Sequence, residues 1–147
     1  MKKILFFDDE PIVSDYLVKN LQENYEWVGD KEITFVSTVC DLLNEIKNEN
    51  VTYDLFVLDV MVPMLLDNLK DSFSNEELIK MNYGMSTGIV ISKIIRKMEK
   101  YKDVPILFLS SRSIPTITEF SETTTSLRKP ISPEEISKKM KEMLKIE

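Results

Sequence analysis

The chain has 147 residues, of which 43% are hydrophobic and 30% are charged, a composition typical of one globular domain and not of a disordered segment. A net charge of −6 argues against direct binding of nucleic acid, because phosphate contacts need Lys and Arg. The sequence has no histidine, which excludes Ser-His-Asp and Cys-His catalysis, and no apolar run long enough for insertion into a membrane. The single cysteine, Cys40, cannot form an intramolecular disulfide, which fits a cytoplasmic protein.

The first predicted strand, Lys3–Phe7, ends on three adjacent acids, Asp8, Asp9 and Glu10, here called the acidic run. Acids in the first turn of a helix complement its dipole, and a following proline suits the first helical position. Capping explains one or two of these acids, but three neighbouring carboxylates repel one another and are not favoured by folding alone.

Strands and helices are predicted to alternate along the chain, which indicates a parallel sheet with right-handed crossovers. The other predicted strands are Glu32–Thr38 near an edge, Leu55–Asp59 in the centre, Val104–Leu109, and Ser126–Arg128 at an edge. The main predicted helices run from Pro11 to about Tyr25 with Val13, Tyr16, Leu17 and Leu21 on one apolar face, from Val39 to Asn48, from Thr87 past Met98, and from Ser132 to about Leu144.

The central strand is an unbroken apolar run that ends on Asp59, and Pro63 then turns the chain. Ligands of open α/β sheets bind outside the carboxyl ends of the strands, where Asp59 is expected to lie. Taken alone, Asp59 is equally consistent with the cap of a turn.

The helix that begins at Thr87 carries a row of basic side chains on its predicted outer face. This basic face consists of Lys93, Arg96, Lys97 and Lys100. We interpret it as solvated surface, with an anionic partner as the alternative.

Polar groups follow four of the five predicted strands. The acidic run follows the first strand, and Asp59, Ser110 and Lys129 follow the third, fourth and fifth. The carboxyl ends of parallel strands share one edge of a sheet, so these groups are expected to converge. Clustered carboxylates favour a hard divalent cation such as Mg²⁺, and a neighbouring lysine and hydroxyl can bind a phosphoryl group. The set predicts phosphoryl transfer with Asp59 as the nucleophile.

These motifs resemble the receiver domain of two-component response regulators over essentially the whole chain. The matching stretches are Ile4–Glu10, Leu58–Met64, Leu107–Ser111 and Arg128–Ile131. The resemblance implies an α/β, doubly wound, flavodoxin-like sheet of five parallel strands in the order 2-1-3-4-5.

The resemblance also implies a Mg²⁺ site. Asp9 would bind the ion directly and Asp8 mainly through water. Asp59 would be both a metal ligand and the phosphoacceptor, and Met61 would offer its backbone carbonyl.

The remaining implied roles concern the phosphoryl group and its donor. Lys129 would pair with the phosphoryl group, and Ser110 would supply the switch hydroxyl. The donor would be the phosphohistidine of a sensor histidine kinase or phosphotransfer protein, and the aspartyl phosphate would later hydrolyse itself.

The sequence departs from the family pattern in two places. A glycine that usually lies about eight positions past the phosphoacceptor is here Gly88, 29 positions past Asp59, which indicates an insertion at about 65–86 on the rim of the site. Ser126 replaces the usual aromatic residue before the lysine, and helix 4 is predicted to be short and weak, around Thr116–Phe120.

We expect a single receiver domain over 1–147, with no output domain after Ile146. Such a chain would act on a downstream protein target, which the sequence does not name, and a homodimer is possible. Two alternatives stay open: an interaction module that works without phosphorylation, and a phosphatase of the haloacid-dehalogenase type. The second expects its nucleophile after the first strand in an Asp-x-Asp pattern, which the acidic run fits badly.

Overall fold

The computed structural model describes residues 2–29, 31–60, 87–111 and 123–146. The predicted insertion at about 65–86, Met61 and the weak helix near Thr116–Phe120 lie outside these ranges.

Five parallel strands form one sheet, as predicted. They are β1 (Lys3–Phe7), β2 (Glu32–Val36), β3 (Leu55–Asp59), β4 (Ile106–Ser110) and β5 (Thr124–Arg128). Their order is β2-β1-β3-β4-β5, which confirms the doubly wound, flavodoxin-like topology. Every residue of the central strand β3 is buried, whereas β2 and β5 are half-exposed edge strands, as their mixed sequences indicated.

Helices cover both faces of the sheet. The helical elements are α1 (Pro11–Val13), a π-helical segment (Ser14–Val18), α2 (Lys19–Asn24), α3 (Glu26–Gly29), α4 (Val39–Lys47), α5 (Thr87–Lys97), a 3₁₀ turn (Glu99–Tyr101) and α6 (Pro133–Met143). The hydroxyl of Thr38 accepts a hydrogen bond from the amide of Asp41 at the start of α4, and Ser132 does the same for Glu135 at the start of α6. No helix in the described ranges is long and apolar enough to cross a membrane.

The first predicted helix is wrong in one respect. Its apolar residues were expected to recur every 3.6 positions. The π-helical segment has more residues per turn, so the apolar face of the helix changes direction there. Leu17 and Leu21 are buried as predicted, whereas Tyr16 is 63% exposed and lies on the surface with Ile12, which is 70% exposed.

Two apolar layers form the core, one on each face of the sheet. Alternate residues of the central strands point into opposite layers because successive side chains of a strand alternate. The layer under α4 and α5 includes Leu5, Phe7, Phe56, Leu58, Ile91, Ile95, Ile106 and Phe108. The layer under α2 and α6 includes Ile4, Phe6, Leu17, Leu21, Leu55, Val57, Leu107, Ile136 and Met140.

The interpretation of the basic face as solvated surface is wrong for Arg96. This half-buried guanidinium donates hydrogen bonds to the carbonyl of Tyr101 at 3.1 Å and to the hydroxyls of Thr123 and Thr124 at 3.0 Å each. Burial lowers the pKa of Arg96, against a smaller opposing effect of Asp103. Arg96 therefore fastens the end of α5 to the amino-terminal edge of the sheet.

Candidate functional site

The register of the strands brings four predicted residues to one edge of the sheet. Phe7 of β1 pairs with Leu58 of β3, so that Asp8 and Asp59 leave their strands at the same level. Ser110 and Lys129 follow at the ends of the next two strands, and the amide of Lys129 donates to the carbonyl of Ser110 at 2.7 Å. All four lie at the carboxyl edge, as the parallel sheet required.

The ammonium of Lys129 lies between two carboxylates. Its Nζ is 2.8 Å from Oδ2 of Asp8 and 3.4 Å from Oδ2 of Asp59. Both acids are buried, and the lysine side chain is 23% exposed. Burial by itself would lower the pKa of Lys129, but the hydrogen bond to Asp8 and the charges of Asp59 and Asp8 outweigh it, so the pKa is raised. Lys129 therefore remains charged at neutral pH.

The acidic run shares Asp8 with this pair of carboxylates. Asp8, Asp9 and Glu10 each place a carboxylate oxygen within 4.8 Å of the others, and the amide of Glu10 donates to Oδ1 of Asp8 at 3.0 Å. These donors are all oxygen atoms, the ligands that a hard divalent cation prefers. The acidic run could therefore hold such a cation.

The start of α5 closes on the backbone of Asp59. The amide of Gly88 donates to the carbonyl of Val60 at 3.1 Å. The chain therefore leaves the site at Val60 and returns to it at Thr87, which is fully buried. The glycine 29 positions past Asp59 contacts Asp59 despite this long separation.

Solved structures with the same fold include response regulators and other receiver domains. Over 97% of its length, this chain matches 99% of the response regulator TrrA from Thermotoga maritima in complex with Mg(2+)-BeF, with a TM-score of 0.64 and 27% identity. It matches the Vibrio cholerae chemotaxis protein CheY4 with a TM-score of 0.69 and 21% identity, over 97% of this chain and 98% of that one. The chain has the receiver-domain fold.

A further receiver with the same fold was solved with its metal. It belongs to a sensor histidine kinase of Pseudomonas aeruginosa and has a magnesium ion coordinated in the active-site cleft. Its TM-score is 0.65 at 18% identity, over 98% of each chain. No protein-family model and no curated protein sequence matches this chain.

The structure brings together all but one of the residues predicted for the receiver site. Asp8, Asp9, Asp59, Ser110 and Lys129 converge at the carboxyl edge. Met61, the predicted carbonyl ligand, lies outside the described residues. The roles of these residues remain predictions. The structure shows in addition that the ammonium of Lys129 contacts both Asp8 and Asp59.

The resemblance to receiver domains assigns no role to two further residues near this receiver site. Glu10 is part of the acidic run, and its carboxylate lies in the same cluster as those of Asp8 and Asp9. Gly88 was noted for its position, whereas its contact with Asp59 follows from the packing of α5 on β3. The sequence could have predicted this contact only from the position of the glycine relative to Asp59. The long segment between the two residues hides that relationship.

Proposed function

We propose that this receiver domain accepts a phosphoryl group on Asp59 from a sensor histidine kinase or a phosphotransfer protein, in a Mg²⁺-dependent reaction. The observation that carries the proposal is the ammonium of Lys129, held 2.8 Å from Asp8 and 3.4 Å from Asp59. Folding alone does not favour burying two neighbouring carboxylates, whereas phosphoryl transfer needs a nucleophile and a cation in this arrangement.

The proposed Mg²⁺ ligands are the carboxylates of Asp8, Asp9 and Asp59, with the carbonyl of Met61 added by resemblance. Their fit to the ion rests on an all-oxygen donor set and on the close spacing of the acidic run. When bound, Mg²⁺ offsets the negative charge that gathers on the oxygens of the transferring group.

The protein side chains have separate tasks in the proposed transfer. A carboxylate oxygen of Asp59 attacks phosphorus, and the bond between phosphorus and the donor's imidazole nitrogen breaks, with its electron pair leaving on that nitrogen. Lys129 turns from Asp59 to an oxygen of the incoming group, and the hydroxyl of Ser110 donates to another. Hydrolysis reverses the modification when water attacks phosphorus and releases inorganic phosphate and the carboxylate of Asp59.

An apolar groove beside the site is the proposed contact surface for the phosphodonor. It borders Asp8 and Lys129, and its walls carry the exposed side chains of Ile12 and Tyr16. A donor protein must place its phosphohistidine against Asp59 and therefore covers the surface around it. Exposed apolar side chains at this position favour a protein donor over a small molecule.

Phosphorylation is proposed to switch a surface that binds a downstream protein, because it adds negative charge at a buried site held by one lysine. Ser126 favours a second candidate function, an interaction module that works without phosphorylation. This half-buried serine, midway along the edge strand β5, pairs in register with Phe108 of β4, at the position where the family's aromatic switch residue is expected.

Intact-mass measurement after incubation with phosphoramidate tests the proposal. Wild-type protein is expected to gain about 80 Da, the mass of one phosphoryl group, in the presence of Mg²⁺. Omitting Mg²⁺ or introducing Asp59→Asn should abolish this gain. Folded wild-type protein that binds Mg²⁺ but gains no mass would overturn the proposal in favour of the module. A gain that persists in Asp59→Asn would place the acceptor elsewhere.

A further inference from the structure

Gly88 packs against the backbone of the residue that carries the proposed chemistry. A Cβ at this position would lie 2.9 Å from Cα of Val60 and 3.0 Å from the carbonyl carbon of Asp59, and closer still to the carbonyl oxygen of Asp59. Real Cβ contacts are essentially never shorter than 3.0 Å. All three atoms belong to the main chain, so that no side-chain rotation can relieve the overlap.

The Asp59 side of this contact cannot easily withdraw. Strand β3 lies between β1 and β4, with hydrogen bonds on both edges. The amide of Val60 extends this pairing by donating to the carbonyl of Leu109 at 3.0 Å. A movement of this peptide therefore strains the centre of the sheet.

The helix side is held along its length. Ile91 and Ile95 on the inner face of α5 are fully buried in the core. Arg96 fixes the far end of the helix to the carbonyls of Tyr101 and Val104 and to the threonine hydroxyls at the start of β5. Because the core is close-packed, α5 cannot shift outward to make room for a methyl group without losing these contacts.

We propose that Gly88 is a positioning residue for the phosphoacceptor. Its missing side chain lets α5 close on the peptide between Asp59 and Val60, which sets the carboxylate of Asp59 at 3.4 Å from Lys129. Its effect on phosphoryl transfer rests on the function proposed above, but its effect on the position of Asp59 does not. A methyl group at Gly88 would displace this peptide and shift the carboxylate of Asp59 from its place 3.4 Å from Lys129.

Displacement of a reacting group by about 1 Å can cost on the order of 10²-fold in rate. We therefore expect Gly88→Ala to slow Mg²⁺-dependent phosphorylation by phosphoramidate by on the order of 10²-fold. The amide resonances of Asp59 and Val60 and the Nζ resonance of Lys129 should also move in ¹H–¹⁵N spectra of the Mg²⁺-free protein.

Two control variants separate positioning from stability. Gly29→Ala places its new Cβ where no atom lies within 4 Å, so it reports the general effect of replacing a glycine in a helix. Ile95→Val removes one buried methylene group from α5 and lowers stability without touching Asp59. Both controls should retain the wild-type rate and the wild-type resonances of the site.

The proposal is overturned if Gly88→Ala reacts as fast as Ile95→Val, or if the resonances of Asp59 and Val60 stay in place. Should Gly88→Ala unfold in buffer, all variants are compared in sucrose, which favours the folded state. Should wild type fail to react, the proposed function falls while the spectra still test the positioning. The spectra of the Mg²⁺-free protein thus distinguish the two failures.

Discussion

Lys129 donates from Nζ to Oδ2 of Asp8 across 2.8 Å, although 121 positions separate the two residues in the chain. They leave β5 and β1, which are not neighbours, because β3 and β4 lie between these strands. The bridge therefore passes over the carboxyl ends of two strands, including the one that ends in Asp59. A single ammonium thus links the end of β5 to the carboxylates at the ends of β1 and β3.

Removal of this ammonium is expected to destabilise the fold. Lys129→Met leaves Asp8 and Asp59 as neighbouring buried carboxylates, and the free energy of unfolding should fall by about 3 kcal/mol. Mg²⁺ should recover more stability in this variant than in wild type, because only the folded chain assembles the carboxylates. Urea unfolding with and without MgCl₂ measures both effects. The control Lys139→Met breaks an exposed pair with Glu142 and should change stability by less than about 1 kcal/mol; an equal loss in both variants would contradict the prediction.

The two buried carboxylates are expected to respond differently to neutralisation. Asp59→Asn removes one of two like charges and leaves the shorter pair of Lys129 with Asp8 intact, so the free energy of unfolding should rise by about 1 kcal/mol. Asp8→Asn weakens that pair and the bond from the amide of Glu10, and stability should fall. Denaturant unfolding of both variants without Mg²⁺ provides the test. A loss of stability in Asp59→Asn would show that its contact with Lys129 outweighs the repulsion.

The grouping of the polar residues that follow the strands could be predicted from the sequence, because a parallel sheet places the carboxyl ends of all its strands at one edge. Asp8, Asp59 and Lys129 needed only the correct strands and their direction to converge. The contact of Gly88 with Asp59 depends instead on how α5 packs on β3 after a long intervening segment. Helical periodicity fixes which face points inward, but it carries no information about that approach.

Arg96 shows why a basic stripe on a helix is ambiguous. Periodicity placed it on the outer face, but the end of α5 lies over carbonyl groups at the amino-terminal edge of the sheet, where a long side chain reaches several acceptors. The π-helical segment was also not predicted, because no residue pattern in the local sequence distinguishes a π-helical turn from an α-helical one. The exposure of Tyr16 follows from that turn.

Substitution of Arg96 should be costly for a position on a helix surface. Arg96→Ala removes the hydrogen bonds that this guanidinium donates to the carbonyls of Tyr101 and Val104 and to two threonine hydroxyls, and the free energy of unfolding should fall by about 2 kcal/mol. Lys97→Ala, one position along and exposed, should change it by less than about 0.5 kcal/mol. Thermal and urea unfolding of the two variants decide the matter. Similar small losses of stability in both variants would support the original interpretation of Arg96 as a solvated surface residue.

Tyr53 is expected to make the stability of the fold fall at alkaline pH. Burial, and then a hydrogen bond of 2.6 Å from its hydroxyl to Glu45, raise the pKa of Tyr53 from 10.0 to about 12. The unfolded chain therefore loses this proton near pH 10 while the folded chain keeps it. The stabilising contribution is complete below pH 10 and is lost as the pH rises through about 12.

The difference between wild type and Tyr53→Phe isolates this contribution from the other groups that titrate at high pH. At pH 8 the variant should be less stable by about 1 kcal/mol, because it lacks the hydrogen bond to Glu45. That difference should shrink as urea unfolding is repeated at increasing pH from 10 towards 12. Glu45→Gln removes a charge that helps to raise the pKa of Tyr53. The pKa should therefore rise less in this variant, and its stability should fall less between pH 10 and 12. Parallel declines in wild type and Tyr53→Phe would mean that the phenol of Tyr53 does not titrate differently in the folded and unfolded chains.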